Sequence, residues 1–252
     1  MLQNKTAWIT GAGTGIGLAG AQALAEAGAV VVLSGRRHEV LAKEADKISQ
    51  SGASVEVAAL DVTDANAVAE VAEKIVKRHG RLDILVNSAG LNTPNRFFRD
   101  QTVEGWDKVI RVNLDGSFYC VRAVLPAMRD QKDGLIINIA SWAGIYASAV
   151  VGAAYNSSKH AVVAMTTTIN MEECANGIRA CAVCPGETAT PIMKKRPVPP
   201  PAEVLARMLQ PADLGRTIAW LAAQPKHMCV NEIIISPTWN RSYLGGADLK
   251  VS

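Results

Sequence analysis

Tyr155 and Lys159 stand four residues apart at the start of a predicted helix, which puts a phenol and an ammonium on one face within reach of a common ligand. A free phenol titrates near about pH 10, too high to exchange protons readily at neutrality. A nearby cation favours the phenolate and lowers that value, so the pair suits proton transfer to or from an alcohol or carbonyl oxygen. A second set of residues points to a ligand with phosphates. In Thr10-Gly11-Ala12-Gly13-Thr14-Gly15-Ile16-Gly17 the missing side chains let backbone N–H groups and a helix N-terminus approach a pyrophosphate. So many glycines exceed what a tight strand-to-helix turn needs, and the segment reads as a dinucleotide loop.

The end of the second predicted strand, where a carboxylate would hydrogen-bond the 2′-hydroxyl of NAD, reads Ser34-Gly35-Arg36-Arg37. No acid stands there, and Arg36 or Arg37 can fork onto a 2′-phosphate, which favours NADP(H), with NAD(H) as the alternative if both arginines only face solvent. Asp61, before Val62, either accepts from an adenine amino group or caps the next helix, as Asp64 also could.

These groups need a rigid frame. Apolar runs at Thr6–Thr10, Val30–Leu33, Val55–Leu60, Leu82–Val86, Leu135–Ala140, Arg179–Val183 and Glu232–Ser236 read as strands. Between them fall helical segments: an alanine-rich one ending near Gly28, then His38–Gln50, Asn66–His79, a long one from about Glu104 to Arg129, Ala153–Glu173 and Pro211–Ala223. Continuous apolar strands alternating with helices imply a single-domain, Rossmann-type doubly wound parallel sheet of about seven strands with helices on both faces. The proline-rich stretch from about 187 to 210 reads as a lid inserted before the last helix. Substrate identity belongs to the residues after Gly90, those after Ser141 and this lid, because loops at the carboxyl edge of a rigid sheet carry specificity.

Composition narrows the function. The chain has 252 residues, 49% of them apolar, with 26 Lys and Arg against 23 Asp and Glu. That is enough to bury a large core, and the near balance of charge argues against nucleic acid or an anionic membrane as partner. The chain runs from Met1 almost directly into its first strand, so no secretory leader and no membrane span are expected, and a cytoplasmic location follows. Five cysteines scattered through strands and helices suit reduced, mostly buried thiols, including the Cys181-x-x-Cys184 pair. His38, His79, His160 and His227 form no ligand-spaced cluster, and no metal is expected.

The glycine loop, Asn87-Ser88-Ala89-Gly90 after the fourth strand, Asn113 in the long helix, Ser141 after the fifth strand, Tyr155-x-x-x-Lys159 and Pro185-Gly186 occur in order, each at an element boundary. Together they resemble the short-chain dehydrogenase/reductase family over about residues 5 to 236. The resemblance implies an NAD(P)-dependent oxidoreductase that moves a hydride between its cofactor and a small carbonyl/alcohol substrate, with Tyr155 as acid/base. It further implies that Ser141 bonds the substrate oxygen, that Lys159 holds the nicotinamide ribose, and that Asn113 binds a water linking Lys159 to solvent. Thr188 through its backbone and Thr190 through its hydroxyl would meet the nicotinamide carboxamide, and a homotetramer is the usual assembly. On the residues alone, Ser141 could equally cap a turn and Asn113 satisfy helix backbone.

Three further features stay open. Glu187 stands where an apolar residue is common in the family, and either touches substrate or nicotinamide or orders the lid. Lys194, Lys195 and Arg196 read either as a site for an anionic substrate or as a solvated turn. The ending Val230 to Thr238 is similar to that of members acting on 3-hydroxy acids, and the tail with Trp239 could pack on a neighbouring subunit.

Overall fold

The computed structural model describes residues 2–196 and 198–243. Its seven strands are β1 (Thr6–Thr10), β2 (Val30–Gly35), β3 (Val55–Ala59), β4 (Ile84–Asn87), β5 (Gly134–Ile139), β6 (Ile178–Pro185) and β7 (Glu232–Ile235). They form one sheet in the order β3-β2-β1-β4-β5-β6-β7, parallel at every junction. Because β1, β4 and β5 are buried throughout, their sequences read as unbroken apolar runs. Successive side chains point to opposite faces. Ile9, Leu33, Ile137 and Val183 therefore pack against α1 (Gly15–Glu26), α2 (His38–Ser49) and α8 (Pro211–Ala222) on one face. Trp8, Val32, Leu85 and Ile136 pack against α3 (Ala65–His79), α5 (Gly116–Gln131) and α6 (Ala153–Glu173) on the other. This is the Rossmann-like arrangement that the alternating pattern implies.

The strand order reverses between β1 and β4, and the row Ser34, Thr10, Asn87, Asn138 lies at the carboxyl edge there. A crevice outside such a reversal is where doubly wound sheets bind ligands.

One predicted helix is divided. The segment from about Glu104 to Arg129 forms α4 (Val103–Ile110), a π-helical turn at Arg111–Asp115, and α5. The wider turn holds Asn113, whose fully buried amide bonds the backbone of Leu91. The lid is less irregular than its prolines suggest: it holds a 3-10 turn at Pro191–Lys195 and a short helix, α7 (Ala202–Arg207). Leu209 then returns beside Thr188 by a parallel bridge. Pro197 and the side chains of Lys194 and Lys195 lie outside what is described. The tail folds back on its own chain, with the Arg207 guanidinium 4.4 Å from the Trp239 ring centroid.

At the opposite, amino edge a charged knot ties the strands together. Asp83, 3% exposed, accepts from Lys5 Nζ at 2.8 Å, Arg81 Nε at 2.7 Å and the Thr6 N–H at 2.9 Å. Lys5 also donates to Asp133, which pairs with Lys226. Burial alone would raise the Asp83 pKa; the bonds from Arg81, Lys5 and Thr6 outweigh it and hold the carboxyl below its ordinary 3.8. A carboxyl depressed on folding stabilises the protein above its unfolded pKa, and that contribution disappears as pH falls through the folded value. Asp83→Asn should therefore cost about 1–3 kcal/mol in urea denaturation at pH 7. The gap from wild type should narrow as the titration is repeated below pH 4.

Candidate functional site

The glycine loop joins β1 to α1 at the carboxyl edge. Gly11 has φ +65°, and a Cβ there would sit 2.7 Å from the Ala89 nitrogen, so only glycine lets the loop pass the β4 segment so closely. Thr10 Oγ1 accepts from the Ser88 and Ala89 N–H groups, pinning the two loops together. Thr14, the N-cap of α1, makes no side-chain cap, and the first turn at Gly15, Ile16 and Gly17 carries no acid. Backbone N–H groups free of side-chain caps and anions at the end of a twelve-residue helix fit a dinucleotide pyrophosphate. The lid begins against this loop, since a Cβ on Gly15 would lie 3.2 Å from Thr190 Cγ2.

Arg36 and Arg37 follow β2, both exposed, and neither side chain has a hydrogen-bond or ion-pair partner among the described residues. Asp64, not Asp61, caps α3, accepting from the Asn66 and Ala67 N–H groups. Asp61 instead accepts from the Thr63 N–H and hydroxyl, which removes the capping alternative for it. Val62 is buried against the start of α5 near Gly116. Asn87 is buried within the sheet, where its amide donates to the Ser117 carbonyl and Asn138 Oδ1. Pro185 ends β6, the Gly186 N–H donates to the Ile235 carbonyl, and Thr188 is buried with its hydroxyl on the Gly186 carbonyl.

The first turn of α6 brings the remaining residues together. Ser141, whose Oγ accepts from the Ala143 N–H, lies across the loop 142–152 from Tyr155, near enough for its hydroxyl to favour the phenolate. The family more often separates these residues by thirteen positions rather than fourteen. Here the loop takes up the difference and is clipped back to α6 by Asn156, which bonds both the N–H and carbonyl of Ser148. Lys159, 5% exposed, donates from Nζ to the Ile139 carbonyl at 2.7 Å and lies 5.7 Å from the Tyr155 ring centroid. A Cβ on Gly90 would be 3.7 Å from that Nζ and 3.5 Å from Asn113 Oδ1, so the three residues share one corner. Asn113 bonds Leu91 through both ends of its amide and Ser158 Oγ through Nδ2, clamping the β4 loop to α6.

The electrostatics differ from the two-residue expectation. Burial raises the Tyr155 phenol, and the groups opposing it are the Ser141 hydroxyl, Arg196 and Arg96 rather than Lys159. Lys159 itself is brought by burial from 10.5 to about 8. Sequence reasoning passed over Arg96 altogether. Its one signal was position, an arginine six residues after Gly90 in the segment assigned to specificity. Glu187 pairs with Arg196 at 2.7 Å and with Arg241 of the tail at 3.5 Å, so it ties lid to tail. Arg196 is accordingly not a solvated turn residue; its side chain is 12% exposed. Cys120, Cys181 and Cys184 are buried thiols, each pushed up to about 12 by burial, while Cys174 and Cys229 are exposed.

Among the described residues no three His, Cys, Asp or Glu side chains are grouped to hold a metal ion, and no helix is long and apolar enough to cross a membrane.

A family model described as short chain dehydrogenase matches residues 5–199. An uncharacterized oxidoreductase of Staphylococcus saprophyticus is 38% identical over 238 residues, covering 94% of this chain and 98% of the relative. Among solved structures, an alcohol dehydrogenase from the archaeon Thermococcus sibiricus, complexed with 5-hydroxy-NADP, superposes with a TM-score of 0.85 at 30% identity, over 94% of this chain and 98% of that one. A metagenomic short-chain oxidoreductase in complex with NADP gives 0.82 at 33% identity, over 95% and 99%.

The buried ammonium makes a measurable prediction. Between about pH 8 and 10.5 the unfolded chain binds a proton at Lys159 that the folded chain does not, so wild-type stability rises there relative to Lys159→Met. At about 1.36 kcal/mol per pKa unit, the gain is on the order of 3 kcal/mol, read from paired denaturation curves across that range.

Proposed function

Because this chain belongs to the short chain dehydrogenase family, we propose that it is an NADP(H)-dependent oxidoreductase acting on a small carbonyl/alcohol substrate, with Tyr155 as acid/base. The observation that carries this reading is the buried Lys159 ammonium set 5.7 Å from the Tyr155 ring and beside Gly90 and Asn113. When bound, the nicotinamide gives a hydride to the carbonyl carbon in reduction and takes one back in oxidation.

The protein's residues manage the oxygen. Tyr155 gives its proton to the substrate oxygen in reduction and recovers it in oxidation, a role typically worth a factor of ~10² to 10⁴. Ser141 donates a hydrogen bond to the same oxygen as negative charge develops on it. Lys159 leaves the Ile139 carbonyl to hold the ribose hydroxyls, adding its charge to those favouring phenolate. Asn113, sharing the Gly90 corner with Lys159, positions a water that links the ammonium to solvent.

Arg36 and Arg37 would hold the 2′-phosphate, Asp61 and Val62 the adenine, the Gly11–Gly17 loop the pyrophosphate, and Asn87, Ala89, Gly90, Pro185, Gly186, Thr188 and Thr190 the nicotinamide half of the cofactor. Two exposed arginines and no carboxylate at the end of β2 support NADP(H) over NAD(H). NADP-type ligands in the two structural neighbours agree with that choice. We place the enzyme in the cytoplasm as a homotetramer. Exposed Phe118 on α5 and Met171 on α6 support assembly through the long helices, which light scattering would measure.

Two variants test this reading. Tyr155→Phe should keep the melting temperature and NADPH affinity while lowering kcat by ~10²-fold or more in an NADPH-oxidation assay over aldehydes and ketones. Arg36→Ala should weaken NADPH binding by about 1.5–3 kcal/mol and leave NADH unchanged in titration calorimetry. Equal affinity of the wild type for the two cofactors would overturn the preference.

A further inference from the structure

The tail after β7 crosses from the lid to the loop that follows Ser141. Its start is fixed: the Gly186 N–H donates to the Ile235 carbonyl at 2.7 Å, and a Cβ on Gly186 would stand 3.1 Å from Pro237 Cδ. Trp239 then meets the lid helix α7, its ring centroid 4.4 Å from the Arg207 guanidinium. Arg241 pairs with Glu187 at the root of the lid at 3.5 Å, and the other Glu187 oxygen holds Arg196 at 2.7 Å. The Tyr243 ring lies edge-on to Trp142, with centroids 5.6 Å apart. Trp142 directly follows Ser141 and also meets Tyr146 at 4.8 Å.

The segment from Trp239 to Tyr243 is a tight turn, so these contacts do not move separately. The Tyr243 N–H donates to the Asn240 carbonyl and the Ser242 N–H to Asn240 Oδ1, each at 2.9 Å. Asn240 itself is 7% exposed. The segments that the turn joins are as closely tied. In the lid the Leu209 N–H donates to the Glu187 carbonyl at 3.0 Å and the Ala189 N–H to the Leu209 carbonyl at 2.8 Å, while Thr190 lies against Gly15 of the glycine loop. After Ser141 the Gly144 N–H returns to the Ser141 carbonyl at 2.8 Å, and a Cβ on Gly144 would stand 2.8 Å from the Lys159 carbonyl oxygen.

None of the three contacts made by the turn is strong. A cation over a half-exposed ring, a partly exposed ion pair at 3.5 Å and the edge-on contact of a tyrosine that is 70% exposed each contribute little in water. Against them stands Asn240 Nδ2, buried without a hydrogen-bond partner among the described residues. A sealed, unsatisfied donor opposes the closed arrangement and gains a bond to water when the tail lifts. The tail is therefore fastened firmly enough to hold the lid and loosely enough to release it.

We propose that residues 237–243 are a strap that couples the lid to the loop after Ser141, so that the two open and close together. On the oxidoreductase reading above, on which this part rests, that motion admits and releases the nicotinamide end of the cofactor. Trp239, Arg241 and Tyr243 are positioning residues, acting through the lid and the Trp142 turn rather than on the reacting atoms. Such a motion sets turnover whenever release of the product cofactor is slower than chemistry.

Native-state hydrogen exchange read by NMR, on the chain without ligand, tests the coupling. It follows the amides of Ala189 and Leu209 in the lid and of Gly144 and Ile145 after Ser141, with the buried strand β1 as reference. Trp239→Ala severs the strap at the lid, and Tyr243→Ala severs it at Trp142. Each should speed exchange by about tenfold or more at both ends and leave β1 unchanged, and NADPH release in stopped-flow fluorescence should quicken by about threefold or more. Trp239→Phe and Tyr243→Phe, which keep a ring, should recover most of both effects.

Exchange that quickens only at the severed end, or at neither, overturns the strap. So does a rise shared with β1, which would mark a purely structural loss. Coupled exchange with NADPH release unchanged overturns the gating. Coupled exchange in a chain that binds no NADPH would support the strap while counting against the oxidoreductase reading. Tight NADPH binding with exchange confined to the severed end would do the reverse.

Discussion

Everything at the carboxyl edge depends on keeping an ammonium and a phenol out of water side by side. Removing Lys159 from solvent opposes its charge, which is why its pKa falls to about 8 and why its one described hydrogen bond, to the Ile139 carbonyl, matters. Burial acts on Tyr155 in the opposite sense, favouring the neutral phenol. Burial thus moves both groups toward their neutral forms, and the neighbours of each decide how far. Ser141, Arg96 and Arg196 supply the part of the balance that favours phenolate.

Rigidity is what makes such a balance possible, since a shift of an ångström would readmit water. Helix α6 is held to the sheet by a chain of buried polar side chains: Asn87 donates to Asn138, Asn138 to the Thr166 hydroxyl, and Thr166 to the Val162 carbonyl. Asn113 closes a second tie, from the Leu91 backbone to Ser158 on the same helix. Polar networks inside a core are costly when incomplete, so these groups specify the placement of α6 more narrowly than apolar packing would. The π-helical turn around Asn113 is the local expense of that second tie.

How far this was legible in the sequence follows from the range of the interactions involved. The strands were plain because a parallel sheet covered on both faces demands uninterrupted apolar runs, and β1, β4 and β5 have them. The glycine loop and the Tyr155-Lys159 spacing were plain because backbone approach and helix periodicity are local. The break between α4 and α5 was hidden, because its cause is a contact with Leu91 twenty-two residues away rather than any proline or glycine near Asn113. Arg96 was hidden for a similar reason: only the packing of Gly152 turns an unremarkable loop arginine into a buried one. The lid's cations were read together from their adjacency, yet Arg196 pairs with Glu187, whose other oxygen pairs with Arg241 fifty-four residues further along the chain.

Those long-range pairings also explain why the two ends of the sheet carry their charge so differently. At the amino edge Asp83 and Asp133 are met by Lys5, Arg81 and Lys226, so the knot adds stability without projecting a strong field. At the carboxyl edge Arg36 and Arg37 lie without described partners at one end, and the Arg96, Arg196 and Arg241 group lies at the other with Glu187 between two of its members. Between them runs the uncapped start of α1, itself equivalent to partial positive charge. Exposed arginines and an uncapped helix start thus place positive charge along the half of this edge that borders the glycine loop, which suits a phosphate-bearing cofactor. Because Thr190 lies against Gly15 and Arg196 six residues further along pairs with Glu187, the lid is anchored both to the glycine loop and to its own first residues, so the two ends of the carboxyl edge are mechanically joined.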